Sequence, residues 1–143
     1  MKPILYAEDQ EADVFLLERA FEEVEVTHPL RVVSNGQEAI DYLSATFHAS
    51  GDEQFPIPHL LLLDLKMPLK TGLEVLDWIR RQPSLRTLPT VVFSSSAQER
   101  DLRAAYELGA NAYLVKPASL DEMEAVAKAI NDFWLVLNRP PPT

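Results

Sequence analysis

The stretch that decides the fold is Leu60-Leu61-Leu62-Leu63-Asp64-Leu65-Lys66-Met67-Pro68. Four consecutive leucines that stop at an acid read as a short strand buried on both faces, because a half-exposed strand would alternate apolar and polar residues. The same form recurs on either side. Ile4-Leu5-Tyr6-Ala7 runs into Glu8-Asp9, and Ala112-Tyr113-Leu114-Val115 runs into Lys116-Pro117. Leu30–Val33 and Thr90–Phe93 read as two further short strands.

Between these runs the spacing turns helical. Val14, Leu17, Phe21 and Val24 space a helix over Glu11–Val24, and Asn35-Gly36 leads into another through Gln37–Leu43. A third helix spans Leu73 to Arg81, with Thr71 and Glu74 at capping-box spacing. A fourth spans Gln98–Leu108, with Gly109 as its stop. A last helix opens at Ser119 and Glu122 and runs to about Asn138. Thr46–Pro58 reads as an extended loop. Five β-α units predict an α/β fold, a doubly wound five-stranded parallel sheet of order 2-1-3-4-5, flavodoxin-like. One domain over residues 1–138 and a short proline-rich tail over 139–143 are expected.

Composition narrows the function. Hydrophobic residues make up 47% of the 143, which suits a folded globular chain. Thirteen basic against 22 acidic side chains give a net charge of −9, which argues against nucleic acid as a direct partner. The absence of cysteine excludes disulfides, thiolate metal sites and cysteine nucleophiles. No apolar stretch approaches the ~18 residues of a membrane span. The short apolar run before Glu8 does not read as a signal peptide, so a cytoplasmic location is expected. His28, His48 and His59 are scattered, with no metal-ligand spacing.

In parallel sheets ligands gather at the carboxyl ends of the strands. Glu8, Asp9, Asp64, Ser94 and Lys116 all stand at such ends. Clustered carboxylates suggest a bound cation, and the oxygen-only donor set suits Mg2+. A lysine beside them suggests that an anion visits as well. An aspartate so flanked can attack a phosphoryl group, with cation and ammonium neutralising the phosphoryl oxygens.

In this order the set resembles a response-regulator receiver domain: Glu8-Asp9, Leu62-Leu63-Asp64-Leu65-Lys66-Met67-Pro68 with Gly72, Val92-Phe93-Ser94-Ser95, and Lys116-Pro117. The resemblance implies the (βα)5 receiver fold and a role for each position. Asp64 would be the phospho-acceptor. Glu8, Asp9, Asp64 and the backbone carbonyl of Lys66 would hold Mg2+. Lys116 would pair with the phosphate, Ser94 would be the switch hydroxyl and Tyr113 the switch aromatic. The Lys116-Pro117 bond would be cis. Two positions depart from the commonest pattern, since Glu8 replaces an aspartate and Ser94 a threonine. The loop before the third strand, the Leu108–Tyr113 segment and Asp132-Phe133-Trp134 are similar to those of single-domain regulators partnered with bacterial phytochrome histidine kinases.

The implied function is a stand-alone response regulator and not an enzyme. A sensor histidine kinase would phosphorylate it, and its output would pass by partner binding or through a histidine phosphotransfer protein. Its helix 4–strand 5–helix 5 face would switch. On the last helix Leu120, Met123, Ala127, Ile130, Trp134 and Leu137 form a stripe that would pack on the sheet. Val126, Ala129, Phe133 and Val136 form a second stripe, read as a partner or homodimer face. Two alternatives stand beside this. A degenerate receiver would only bind partners. A phosphatase of the haloacid-dehalogenase type would need a second acid two residues after Asp64, where Lys66 stands.

Overall fold

A computed structural model describes residues 1–48 and 54–142 of the chain. Strands β1 (Ile4–Ala7), β3 (Leu60–Leu63) and β4 (Thr90–Ser94) are buried along their whole length, as unbroken apolar runs require. Strands β2 (Leu30–Val33) and β5 (Ala112–Val115) flank them and are less buried. The sheet is parallel throughout, in the order β2-β1-β3-β4-β5. Ile4 registers with both Leu30 and Leu60, and Ala7 with both Val33 and Leu63. The three strands therefore end level, and the residues that follow them emerge side by side.

Helices α1 (Glu11–Glu23), α2 (Gly36–His48), α3 (Gly72–Arg81), α4 (Glu99–Glu107) and α5 (Leu120–Ala129) alternate with the strands. The two-residue period of a strand sorts the core into two layers. Leu5, Ala7, Leu61 and Leu63 pack against Ala39, Tyr42 and Leu43 of α2 and Val75, Leu76 and Ile79 of α3. Ile4, Tyr6, Leu60, Leu62, Val91 and Phe93 face the other way, onto Leu17, Ala20 and Phe21 of α1 and Met123 and Ala127 of α5. A smaller cluster of Leu65, Val92 and Ala105 with Tyr113 seats α4.

The helix ends follow their local chemistry. At Thr71 the capping box forms in full, its hydroxyl accepting from the Glu74 N–H while the Glu74 carboxylate accepts from the Thr71 N–H. Gly109 (φ +101°) ends α4 in a Schellman motif: the Gly109 N–H reaches the Tyr106 carbonyl and the Ala110 N–H the Ala105 carbonyl. The same pair of bonds ends α1, from Glu25 to Glu22 and from Val26 to Phe21, but the left-handed position is held by Glu25 at φ +57°. At the amino ends of β4 and β5 the Arg80 guanidinium makes six hydrogen bonds, to the carbonyls of Leu85, Arg86, Leu88 and Gly109 and the amide oxygen of Asn111. Burial lowers its pKa from the usual arginine value.

Four expectations are corrected. Helix α2 continues to His48, so residues 46–48 are helical and not loop, while residues 49–53 lie outside the described residues. The last helix changes character at Ile130 and runs to Leu137 as a π-helix. Its i→i+5 bonding, closed by the Asn138 N–H on the Phe133 carbonyl, widens the turn and shifts the phase of the apolar stripe. Leu137 is consequently 70% exposed, and Leu135 packs against the core in its stead. No peptide bond among the described residues is cis, so Lys116–Pro117 is trans; proline narrows the preference for trans without reversing it. Finally, His28 and His59 are not scattered. Their rings lie 4.9 Å apart, with His28 Nδ1 against the Lys2 carbonyl and His59 Nε2 against the Trp134 carbonyl.

Candidate functional site

Backbone bonds carry the sheet past the strand ends and fix where the polar residues emerge. The Glu8 N–H donates to the Val33 carbonyl, the Asp64 N–H to Ala7 and the Lys116 N–H to Ser94. Gly72, first residue of α3, presses on this edge: its N–H donates to the Leu65 carbonyl, and a Cβ there would sit 2.1 Å from the Asp64 carbonyl oxygen. Only glycine permits that approach.

The side chains converge on a cleft of about 450 Å³ lined by Asp9, Asp13, Asp64, Lys66, Ser94 and Lys116, among others. Oxygens of Glu8, Asp9 and Asp64 lie within 4.8 Å of one another. Asp64 is buried, and its Oδ1 accepts from the Leu65 N–H at 2.9 Å, which fixes the carboxylate plane. Its Oδ2 lies 3.5 Å from the Lys116 ammonium. The Lys116 ammonium, on a side chain only 5% exposed, also donates to Glu8 Oε1 and, at 3.0 Å, to Asp13 Oδ2. Glu8 accepts in addition from the Tyr6 hydroxyl and the Gln10 N–H. Ser94 Oγ accepts from the Ser96 N–H at 3.2 Å, which leaves its own proton to donate. Tyr113 is half-buried, and its hydroxyl donates to the Ser96 carbonyl at 2.8 Å.

The electrostatics follow from four acids gathered around one buried cation. Burial would lower the Lys116 pKa, but the bond to Glu8, the charge of Asp64 and the bond to Asp13 outweigh it and raise it. Burial pushes the Glu8 carboxyl up, to about 7, with the Asp64 charge adding to the rise and Lys116 opposing it. Burial and the negative field of Glu8 and Asp13 keep the Tyr6 phenol protonated. The acidic charge in excess of Lys116 calls for a cation. Among the described residues, Asp9 Oδ1 is buried and accepts no hydrogen bond. An orphaned carboxylate oxygen beside two other acids, in an all-oxygen donor set, fits a hard divalent ion.

The structure thus brings together Glu8, Asp9, Asp64, Ser94 and Lys116, with exposed Lys66 at the cleft and Tyr113 one loop away. Val126 is part-buried against the core, whereas Phe133 and Val136 are 50% and 65% exposed on the terminal π-helix. Sequence reasoning missed Tyr6 and Asp13. The signal for Asp13 was its place in the first turn of α1, four residues beyond Asp9.

Comparison with known proteins agrees with this geometry. The family described as response regulator receiver domain matches residues 4–128. The probable methanogenesis regulatory protein FilR2 of Methanothrix harundinacea (strain 6Ac) is 38% identical, over 96% of this chain and 86% of its own length. Response regulator Rcp1 of Synechocystis sp. (strain PCC 6803) is 37% identical over 94% of this chain and 89% of its own. The crystal structure of its Mn2+-bound form superposes with a TM-score of 0.85, at 36% identity, over 99% of this chain and 100% of that one. The phosphorylated cyanobacterial phytochrome response regulator RcpA superposes with a TM-score of 0.87, at 36% identity, over 99% of both chains. With an acidic cleft at the carboxyl edge of a 2-1-3-4-5 sheet and a family match over most of its length, the chain belongs to the response regulator receiver domains, the signalling modules of two-component systems.

Proposed function

We propose that the chain accepts a phosphoryl group on Asp64 from a histidine kinase and relays the event through its β4–α4 loop. The observation that carries this reading is the buried Asp64 carboxylate, held in plane by the Leu65 N–H and facing Lys116 across a cleft with an unpartnered Asp9 oxygen. Asp9, Asp64 and the Lys66 carbonyl would hold Mg2+, with Glu8 acting through water. A divalent ion there neutralises phosphoryl oxygens as charge gathers on them. An Asp64 oxygen attacks phosphorus, the P–N bond to the kinase imidazole breaks, and its electron pair leaves with the imidazole. Lys116 pairs with a phosphoryl oxygen.

Phosphorylation adds roughly −1.5 to −2 charge at Asp64. Ser94 turns its free proton toward that charge, and the loop bonds from Ser96 to Ser94 and from Tyr113 to Ser96 transmit the move. Output passes through the α4–β5–α5 face. Phe133 and Val136, extended by Val126, serve a partner or a second copy of the chain, and phosphotransfer onward to a histidine phosphotransfer protein is the other route. The likeness to RcpA supports a phytochrome as the kinase. The receiver unit spans residues 1–138, with 139–143 as a tail.

Incubation with acetyl phosphate and Mg2+ tests the reading. A phosphoryl mass shift is expected in the wild type, lost in Asp64→Asn and on chelation of the metal. No shift from acetyl phosphate or from a panel of histidine kinases would leave only a partner-binding module. Turnover of a phosphate monoester that disappears in Asp64→Asn would favour a phosphatase instead.

A further inference from the structure

Lys116 spends its hydrogen bonds on the wrong side of the cleft. Its ammonium has three protons. It donates to Glu8 Oε1 and to Asp13 Oδ2, and meets the acceptor Asp64 only at 3.5 Å, without a hydrogen bond. The two bonded acids differ in what happens when the lysine leaves. The Glu8 side chain is 0% exposed and would be left charged in a dry site, although Tyr6 and Gln10 still donate to it. The Asp13 side chain is 29% exposed, in the first turn of α1, where water and the helix N-terminus both stabilise a carboxylate. Asp13 is therefore the partner that can release Lys116 at small penalty.

Building on the acceptor reading of Asp64, we infer that Asp13 is a positioning residue, which parks Lys116 against α1 in the unphosphorylated state and gives it up to the phosphoryl group. A phosphoryl group on Asp64 brings more charge and three acceptor oxygens to the side from which Asp64 now faces the ammonium. Lys116 gives its third proton, and the one released by Asp13, to phosphoryl oxygens and keeps Glu8. The exchange opposes phosphorylation by the strength of the Asp13 contact, and it sends the signal to the start of α1 as well as to the Ser94 loop.

Beryllofluoride, which mimics an acyl phosphate without covalent turnover, tests this by calorimetry at saturating Mg2+. Asp13→Asn removes the parking charge and should tighten beryllofluoride binding about two- to fivefold, as loss of a partly exposed ion pair in the competing state predicts. Asp13→Glu, which keeps the charge, should remain within about twofold of wild type. So should Glu11→Gln, which removes a charge from the same turn of α1 but has no bond to Lys116. In the wild type, the Asp13 carboxylate carbon resonance should shift when beryllofluoride binds, a readout that needs no variant to fold. Unchanged or weaker binding by Asp13→Asn overturns the inference, as does equal tightening by Glu11→Gln or an unmoved Asp13 resonance. A wild type that binds no beryllofluoride at all removes the acceptor reading first, and this inference with it.

Discussion

Gly72→Ala strikes the point where helix α3 leans on the phospho-acceptor. The added Cβ would lie 2.1 Å from the Asp64 carbonyl oxygen, 2.8 Å from Leu65 Cα and 2.9 Å from the Asp64 carbonyl carbon. All three are backbone atoms, so no side chain can swing aside. Restoring ordinary contact requires the helix start and the Asp64 backbone to part by roughly 1 Å, since overpacked atoms relax only by shifting backbone or leaving rotamers. Overpacking of this kind costs about 1–3 kcal/mol. Alanine returns less than ~1 kcal/mol through helix propensity, so a net loss is expected. The effect on chemistry is larger, because misplacing a reacting group by ~1 Å costs on the order of 10²-fold in rate. Urea unfolding monitored by Trp78 and Trp134 fluorescence would give the first quantity. The rate of labelling by acetyl phosphate would give the second. A variant as stable as the wild type that is labelled at the wild-type rate would refute the claim that this contact sets the position of Asp64.

Two further expectations concern regions away from the cleft. Glu25→Gly should stabilise the protein by ~0.5–1 kcal/mol, because it relieves a left-handed φ of +57° at a helix end built for glycine; the urea midpoint should rise with an unchanged slope. His59 is held below its ordinary pKa of 6.5 by burial, against the pull of the Trp134 carbonyl, with His28 and Lys2 adding repulsion. The unfolded chain therefore binds the proton first as pH falls. His59 contributes stability that is fully present above pH 6.5 and is lost as pH falls toward the lowered folded value. Stability measured between pH 7.5 and 5 should fall less steeply in His59→Gln than in the wild type, and parallel curves would disprove the assignment.

The strands were legible because their signal is local. Leu60–Leu63, Ile4–Ala7, Leu30–Val33 and Ala112–Val115 begin and end where the sequence places them. The strand order followed from the β-α alternation, and with it the meeting of Glu8, Asp9, Asp64, Ser94 and Lys116. What escaped depended on geometry that composition does not encode. The stripe through Ile130, Trp134 and Leu137 assumed an α-helical period, and the π-helix over Ile130–Leu137 broke it. Thr46–His48 read as the start of a loop, whereas α2 extends to His48. Asp13 drew no reading from the sequence, because its bond to Lys116 crosses 103 residues. The His28–His59 contact was within reach of the topology. Each residue shortly precedes a strand, and those strands flank β1 with Leu30 and Leu60 both registered on Ile4.

The Arg80 clasp gives the two edges of the sheet different sensitivities to ionic strength. Every oxygen that holds its guanidinium is neutral, so dissolved salt has no opposing charge to screen and the short-range bonds persist in concentrated brine. At the opposite edge, Glu8, Asp13 and Asp64 crowd Lys116 with formal charges whose balance shifts with every counterion that enters. A change of electrolyte is thus felt where the strands finish and not where β4 and β5 begin.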